Sequence, residues 1–136
     1  MILQGQKGFS LIETAVAAVV LAIAILTTAF SIMNLQDLSA LAREKEMAMI
    51  DANHVLEAMR DTANNSLITL RNTDWTTWAV NNVVNPKGAN ELRLDQEAVT
   101  ANIGNGNPAS VTLLLNWNHK QRPYTFRVIT LMTDRG

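Results

Sequence analysis

Apolar positions are distributed along this chain in three ways, and each predicts a different element. From Thr14 to Gln36 the pattern is continuous: 23 residues without a charge, dominated by Ala, Val, Ile and Leu. That is enough for one membrane-spanning helix. Beyond Leu38 the pattern becomes amphipathic. Ala42, Met49, Ala52, Leu56, Met59 and Ala63 recur at alternating spacings of three and four, with Lys45 in the remaining slot. This periodicity aligns them on one helix face, which should pack as core, while Arg43, Glu44, Glu46, Asp51, Glu57 and Arg60 mostly fall elsewhere on the surface. No proline or glycine interrupts Phe9 to Ala63, so both patterns are expected on a single helix. At about 1.5 Å per residue it would be a rod of roughly 80 Å.

The third pattern is strict alternation. Val111, Leu113, Leu115 and Trp117 alternate with Thr112, Leu114 and Asn116, the clearest strand signal in the chain. Tyr124 to Met132 is rich in β-branched and aromatic residues and should pair with it as an antiparallel hairpin across a polar loop at Asn118–Pro123. Glu91 to Leu94 and Ala98 to Ile103 are weaker strand candidates. Between helix and sheet, Asn64-Asn65-Ser66 should end or fray the helix, and Trp75 and Trp78 suit a short helical turn capping the core. Asn85-Pro86-Lys87-Gly88 reads as a turn and Gly104-Asn105-Gly106-Asn107-Pro108 as a stronger break. The expected architecture is α+β: one long N-terminal helix, its second half packed on a small antiparallel sheet.

Composition narrows the function more than the fold. A net charge of −1 across 136 residues, with no basic patch interleaved with aromatics, gives no support for nucleic-acid binding. The chain has no cysteine, which removes disulfides and thiolate metal sites. No nucleophile elbow, phosphate-binding glycine loop or paired-histidine metal motif is present. Asp51, His54 and Glu57 share a helix face at three-residue steps and could in principle ligate a metal, but a solvated polar face is the favoured reading. Asp95 and Glu97, near Asn102 and Asn105, lack the ordered oxygen spacing of a calcium loop. Neither a cofactor nor an enzymatic activity is expected.

The residue that stands out is Glu13, a carboxylate one turn inside the apolar run. A charge at the centre of a spanning helix costs roughly 2.5–3.5 kcal/mol on insertion scales. Near the lip Glu13 could simply reach the interface, or it could await a positive partner. Cutting the chain after Gly8 would expose the α-amino group of Phe9 and make Glu13 the fifth residue of the mature chain.

Here Gly8-Phe9-Ser10-Leu11-Ile12-Glu13 resembles the type IV pilin and type II secretion pseudopilin family, whose precursors open their apolar helix with this pattern. The resemblance covers about the first quarter of the chain. It implies a leader at residues 1–8, a membrane and filament-core helix at 9–36, and a pilin-like globular region at 37–136. It also implies that prepilin peptidase cuts between Gly8 and Phe9 and N-methylates Phe9. The new amine and Glu13 would then pair between staggered subunits, offsetting each other's burial and setting register.

Implied partners are other pilin or pseudopilin subunits, prepilin peptidase, an assembly ATPase, the assembly platform protein and inner-membrane lipid. The N-terminus would be cytoplasmic, as Lys7 before the span also favours, and the globular region periplasmic before entering a pilus or pseudopilus. Major pilins commonly carry a proline where this chain has Phe30, and a C-terminal cysteine pair that it lacks. Both departures lean toward a minor subunit. Two rivals remain: a binding domain released by ordinary signal peptidase near Phe30, and a signal-anchored enzyme.

Overall fold

A computed structural model describes residues 10–87 and 93–134. Helix α1 runs from Leu11 to Asn65 without a break, as expected of a stretch without proline or glycine. Short helices α2 (Leu67–Asn72) and α3 (Trp75–Ala79) follow, and α3 continues into a π-helical turn at Val80–Val84. Three antiparallel strands complete the chain: β1 (Asp95–Ile103), β2 (Ala109–His119) and β3 (Arg122–Met132), in the sheet order β1-β2-β3. The α+β arrangement is therefore the observed one. The chain divides into two compact units, residues 1–40 and 41–136, and α1 contributes to both.

In the first unit, every described residue from Ser10 to Ala40 is exposed. Its side chains make no core; Val20, Ile25 and Phe30 stand 61%, 61% and 65% exposed. The helix is held by its own backbone and by hydroxyls turned back onto it. Thr28 Oγ1 donates to the Ala24 carbonyl at 2.8 Å, and Ser31 Oγ to that of Thr27 at 2.9 Å. This back-bonding hides polar groups that an apolar surround would penalise.

The second unit has an ordinary core. From α1 it takes Ala48, Ala52, Val55, Leu56, Met59 and Ala63, and from the sheet Val99, Val111, Leu113, Leu115 and Trp117. Strand β2 alternates as its sequence demands, with every odd residue from Ala109 to Trp117 buried. The buried stripe of α1 differs from the expected one. Ala42 is exposed and Met49 is 48% exposed, while Ala48, Asp51 and Val55 take the inward positions. Ala52, Leu56, Met59 and Ala63 are buried as expected, but the buried face is wider on the Ala48–Asp51–Val55 side, so Asp51 turns inward instead of into solvent.

Local chemistry explains the joints. Ser66 Oγ accepts from the Thr69 N–H at 3.3 Å and caps α2. Asp74 caps α3, accepting from the Thr77 N–H at 3.1 Å and from Thr77 Oγ1 at 2.6 Å. Those hydrogen bonds favour the carboxylate and hold Asp74 below its ordinary pKa. Trp75 fills the core and Trp78 flanks it, so the expected aromatic cap is present. Trp75 Nε1–H donates to the buried Leu70 carbonyl at 2.7 Å.

The break before β2 is fastened by Arg71, whose Nε and Nη2 donate to the carbonyls of Gly104 and Gly106 at 3.2 and 2.6 Å. A Cβ at Gly104 would stand 2.5 Å from Ser110 Oγ, so a larger residue there would require that hydroxyl to turn away.

Two expectations about loops need correction. The hairpin connection is shorter than Asn118–Pro123. Strand pairing continues to His119 opposite Arg122, leaving Lys120 and Gln121 as a two-residue turn with φ of 49° and 65°. Two consecutive positive φ values define the turn whose twist matches the strands it joins. The weak strand at Glu91–Leu94 lies partly outside the described residues, and Arg93 and Leu94 are not in a strand. The Asn85–Lys87 part of the expected turn is described and its Gly88 is not.

Candidate functional site

Two places in the chain concentrate charge against apolar surroundings, and sequence reasoning identified one of them. The first is the start of α1. Ser10 precedes the first helical residue, its carbonyl accepts from the Thr14 N–H at 3.1 Å, and its own N–H donates to Glu13 Oε2 at 3.1 Å. Ser10-Leu11-Ile12-Glu13 has the spacing of a capping box, in which an acid three residues into a helix reaches back to the first backbone donor. The carboxylate also lies in the first turn, where the helix dipole favours negative charge. Glu13 therefore has a partner within its own chain.

Around Glu13 the surface is apolar: Ile12, Val16, Val20 and Leu21 line a shallow groove with it. Gly8 and Phe9, the expected cleavage and methylation positions, lie outside the described residues. The helix from Leu11 carries an 18-residue window of mean hydropathy 2.5, none of it buried, which is long and apolar enough to cross a membrane.

The second place is in the other unit and was missed. Lys87 Nζ donates to Asp51 Oδ2 at 2.6 Å and to Glu97 Oε2 at 2.9 Å. The three side chains are 8%, 9% and 2% exposed, respectively for Lys87, Asp51 and Glu97. Arg93 donates to the Lys87 carbonyl. Glu97 Oε1 is buried with no hydrogen-bond partner. Burial raises the Glu97 pKa, and nearby Asp51 adds to the rise while Lys87 opposes it. For Lys87, burial disfavours the ammonium, yet the hydrogen bonds and charges of Asp51 and Glu97 outweigh it and raise its pKa.

A related link joins α1 to the hairpin. Glu44, expected on the surface, accepts from Trp117 Nε1–H at 3.0 Å and meets His119 Nδ1 at 2.8 Å. Period-two phase could have exposed part of this. On β1, Glu97 shares a face with Val99, Ala101 and Ile103, so an inward carboxylate was implied once the strand was placed.

The suggested Asp51, His54 and Glu57 face does not assemble. Asp51 is engaged with Lys87, while His54 and Glu57 are exposed. His54 lies edge-on to Trp78 with ring centroids 6.2 Å apart. Among the described residues, no group of three His, Asp or Glu side chains converges as metal ligands would.

Compared with known families, residues 3–29 match the prokaryotic N-terminal methylation motif. That motif is characteristic of type IV pilin and pseudopilin precursors, and in this segment the chain is pilin-like. The match takes in Gly8, Phe9, Glu13 and most of the apolar run and ends before the second unit begins. No curated protein and no solved structure matches the chain.

Proposed function

We propose that this chain is a structural subunit, a minor pilin or minor pseudopilin, of a type IV pilus or a type II secretion pseudopilus. The observation that carries the proposal is a coincidence of register. The methylation motif ends on a helix that is uncharged from Thr14 to Gln36 and exposed along that whole run. A helix apolar all round and exposed along that run belongs in lipid or among copies of itself. A pilin-like subunit uses both settings in turn.

On this reading residues 1–8 are the leader, 9–36 the membrane and filament-core helix, and 37–136 the globular region. Prepilin peptidase cuts between Gly8 and Phe9 and methylates the new amine. The precursor sits in the bacterial inner membrane, N-terminus cytoplasmic and globular region periplasmic, and the platform protein and assembly ATPase then move it into the filament. There the Phe9 amine of one subunit and the Glu13 carboxylate of another neutralise each other in a low dielectric. Glu13 keeps its bond to the Ser10 N–H, so the carboxylate is already oriented when that amine arrives. Apolar packing of the helices supplies most of the cohesion. No catalytic role is assigned to any residue.

Two measurements test this. The mass and N-terminal residue of the mature protein should give Phe9 carrying one methyl group. An intact Met1, or a start near Phe30, would point instead to a signal-anchored or secreted protein. Glu13→Leu should leave the cut in place while stopping incorporation into filaments; normal incorporation would remove the charge-pairing mechanism.

A further inference from the structure

We propose that Asp51, Lys87 and Glu97 form a clasp that holds one exchangeable proton on its carboxyl groups, and that losing this proton loosens Lys87 and the start of β1 from α1. The inference starts from a charge count. One ammonium stands between two carboxylates, all three side chains at least nine-tenths buried. With every group ionised, the cluster carries one uncompensated negative charge in a place with little water. Buried groups in that position take up a proton in preference to remaining charged.

The geometry says which group takes it. Lys87 reaches one oxygen of each acid, leaving Glu97 Oε1 buried with no donor. An ionised carboxylate with a bare, dry oxygen is poorly stabilised, whereas a neutral carboxyl loses less there. Burial and the Asp51 charge both push Glu97 toward its neutral form.

Among the described residues, the surrounding charges do not supply the missing cation. Arg93 spends its contact on the Lys87 carbonyl. His54 lines the same recess as Asp51 and Lys87 but is exposed and lies against Trp78. Asp95, two residues along β1, is exposed and adds further negative charge. When the proton leaves for bulk water, Glu97 becomes a carboxylate and the cluster becomes net negative.

What the clasp ties down is defined by sequence position. Asp51 is on α1, Lys87 follows the π-helical turn, and Glu97 is the third residue of β1. The register of β1 shifts beside it, between Asp95 and Ala98, with Gln96 at a φ of 51°. A strand end with shifted pairing relies more on side chains to hold it than a regular ladder does.

The sign of the pH dependence follows directly. A carboxyl group whose pKa is higher in the folded than in the unfolded state stabilises the fold on the acid side. That contribution is lost as pH rises from the unfolded value through the folded one. Lys87 remains charged throughout, because its own pKa is also raised.

The test uses the full chain in detergent micelles, carbon-13 labelled at glutamate carboxyls, with amide exchange read in parallel. Glu97 should titrate above the ordinary glutamate range. Amide protection at residues 80–87 and 93–97 should fall as pH rises from the ordinary glutamate value to that midpoint and level off above it, by about tenfold for each pH unit between the two. In Asp51→Asn one carboxylate and Lys87 balance, so the Glu97 midpoint should drop into or below the ordinary range and the pH step in protection should disappear. An unshifted Glu97 in the unaltered protein, or a midpoint indifferent to Asp51→Asn, overturns the proposal. Should that variant fail to fold, the wild-type titration decides alone.

Discussion

The two units of this chain treat the same kinds of side chain in opposite ways. Between Leu11 and Ala40 every Val, Ile, Leu and Phe is exposed, whereas beyond Leu41 Val55 and Leu56 of α1 and Val111, Leu113 and Leu115 of β2 lie in a packed core. The difference lies in pattern. An apolar run that surrounds a helix leaves no side to face water and no stripe to lay on a sheet, so its partner has to be something else. An apolar stripe one third of the circumference wide finds its partner within the chain. Polar chemistry divides in the same way: the first unit turns its hydroxyls back on its own carbonyls, while the second places buried charges opposite each other.

The sharpest way to break this contrast is to strip a charge from the interior of the second unit. Lys87→Met leaves Asp51 and Glu97 facing each other without a cation. Removing one member of a buried ion pair costs about 3–5 kcal/mol. The loss should be greatest near neutral pH and shrink toward acid, where the two carboxyls can protonate. All three tryptophans, Trp75, Trp78 and Trp117, lie in this unit, so denaturation followed by their fluorescence reads its stability alone. A loss that does not depend on pH would show that packing of the lysine stem, and not charge, holds the segment.

A matched pair of truncations comes next. Leu113, fully buried in β2, and Leu21, 62% exposed in α1, are the same residue in opposite settings. Leu113→Ala should destabilise the second unit by about 2–5 kcal/mol, through lost transfer free energy and the cavity left behind. Leu21→Ala should leave that transition within about 0.5 kcal/mol of wild type, as exposed substitutions do. Equal effects would mean that the two units do not fold separately in the way their packing implies.

Much of this contrast could be read in the sequence, because it is carried by periodicity. The unbroken helix, the odd-numbered core of β2 and the hairpin each follow from a pattern many residues long. The helix start was legible for another reason: Gly8-Phe9-Ser10-Leu11-Ile12-Glu13 is a contiguous motif, and Glu13 is conspicuous in an uncharged surround. The Lys87 cluster was not legible. Its members are 36 and 10 residues apart along the chain, and each alone looks like an ordinary surface charge. Placing Asp51 correctly required the width of the buried α1 face: the stripe through Ala52, Leu56, Met59 and Ala63 is buried as its spacing implies, but the face also takes in the neighbouring Ala48, Asp51 and Val55. Glu44 failed the same way, since its bonds to Trp117 and His119 span 73 and 75 residues.

The smallest effect tests the hairpin that closes the sheet, where the second unit is held by backbone conformation and not by burial. Lys120 and Gln121 adopt φ values of 49° and 65°, a conformation that places Cβ close to the following carbonyl oxygen. Glycine carries no such penalty, and the second central position of this turn commonly has it. Gln121→Gly should therefore stabilise the second unit by about 1 kcal/mol, offset in part by the greater freedom glycine gives the unfolded chain. Measured by the same tryptophan fluorescence, the gain should be insensitive to pH, in contrast to Lys87→Met. A loss of stability would show that the Gln121 side chain contributes more to the hairpin than its backbone strain removes.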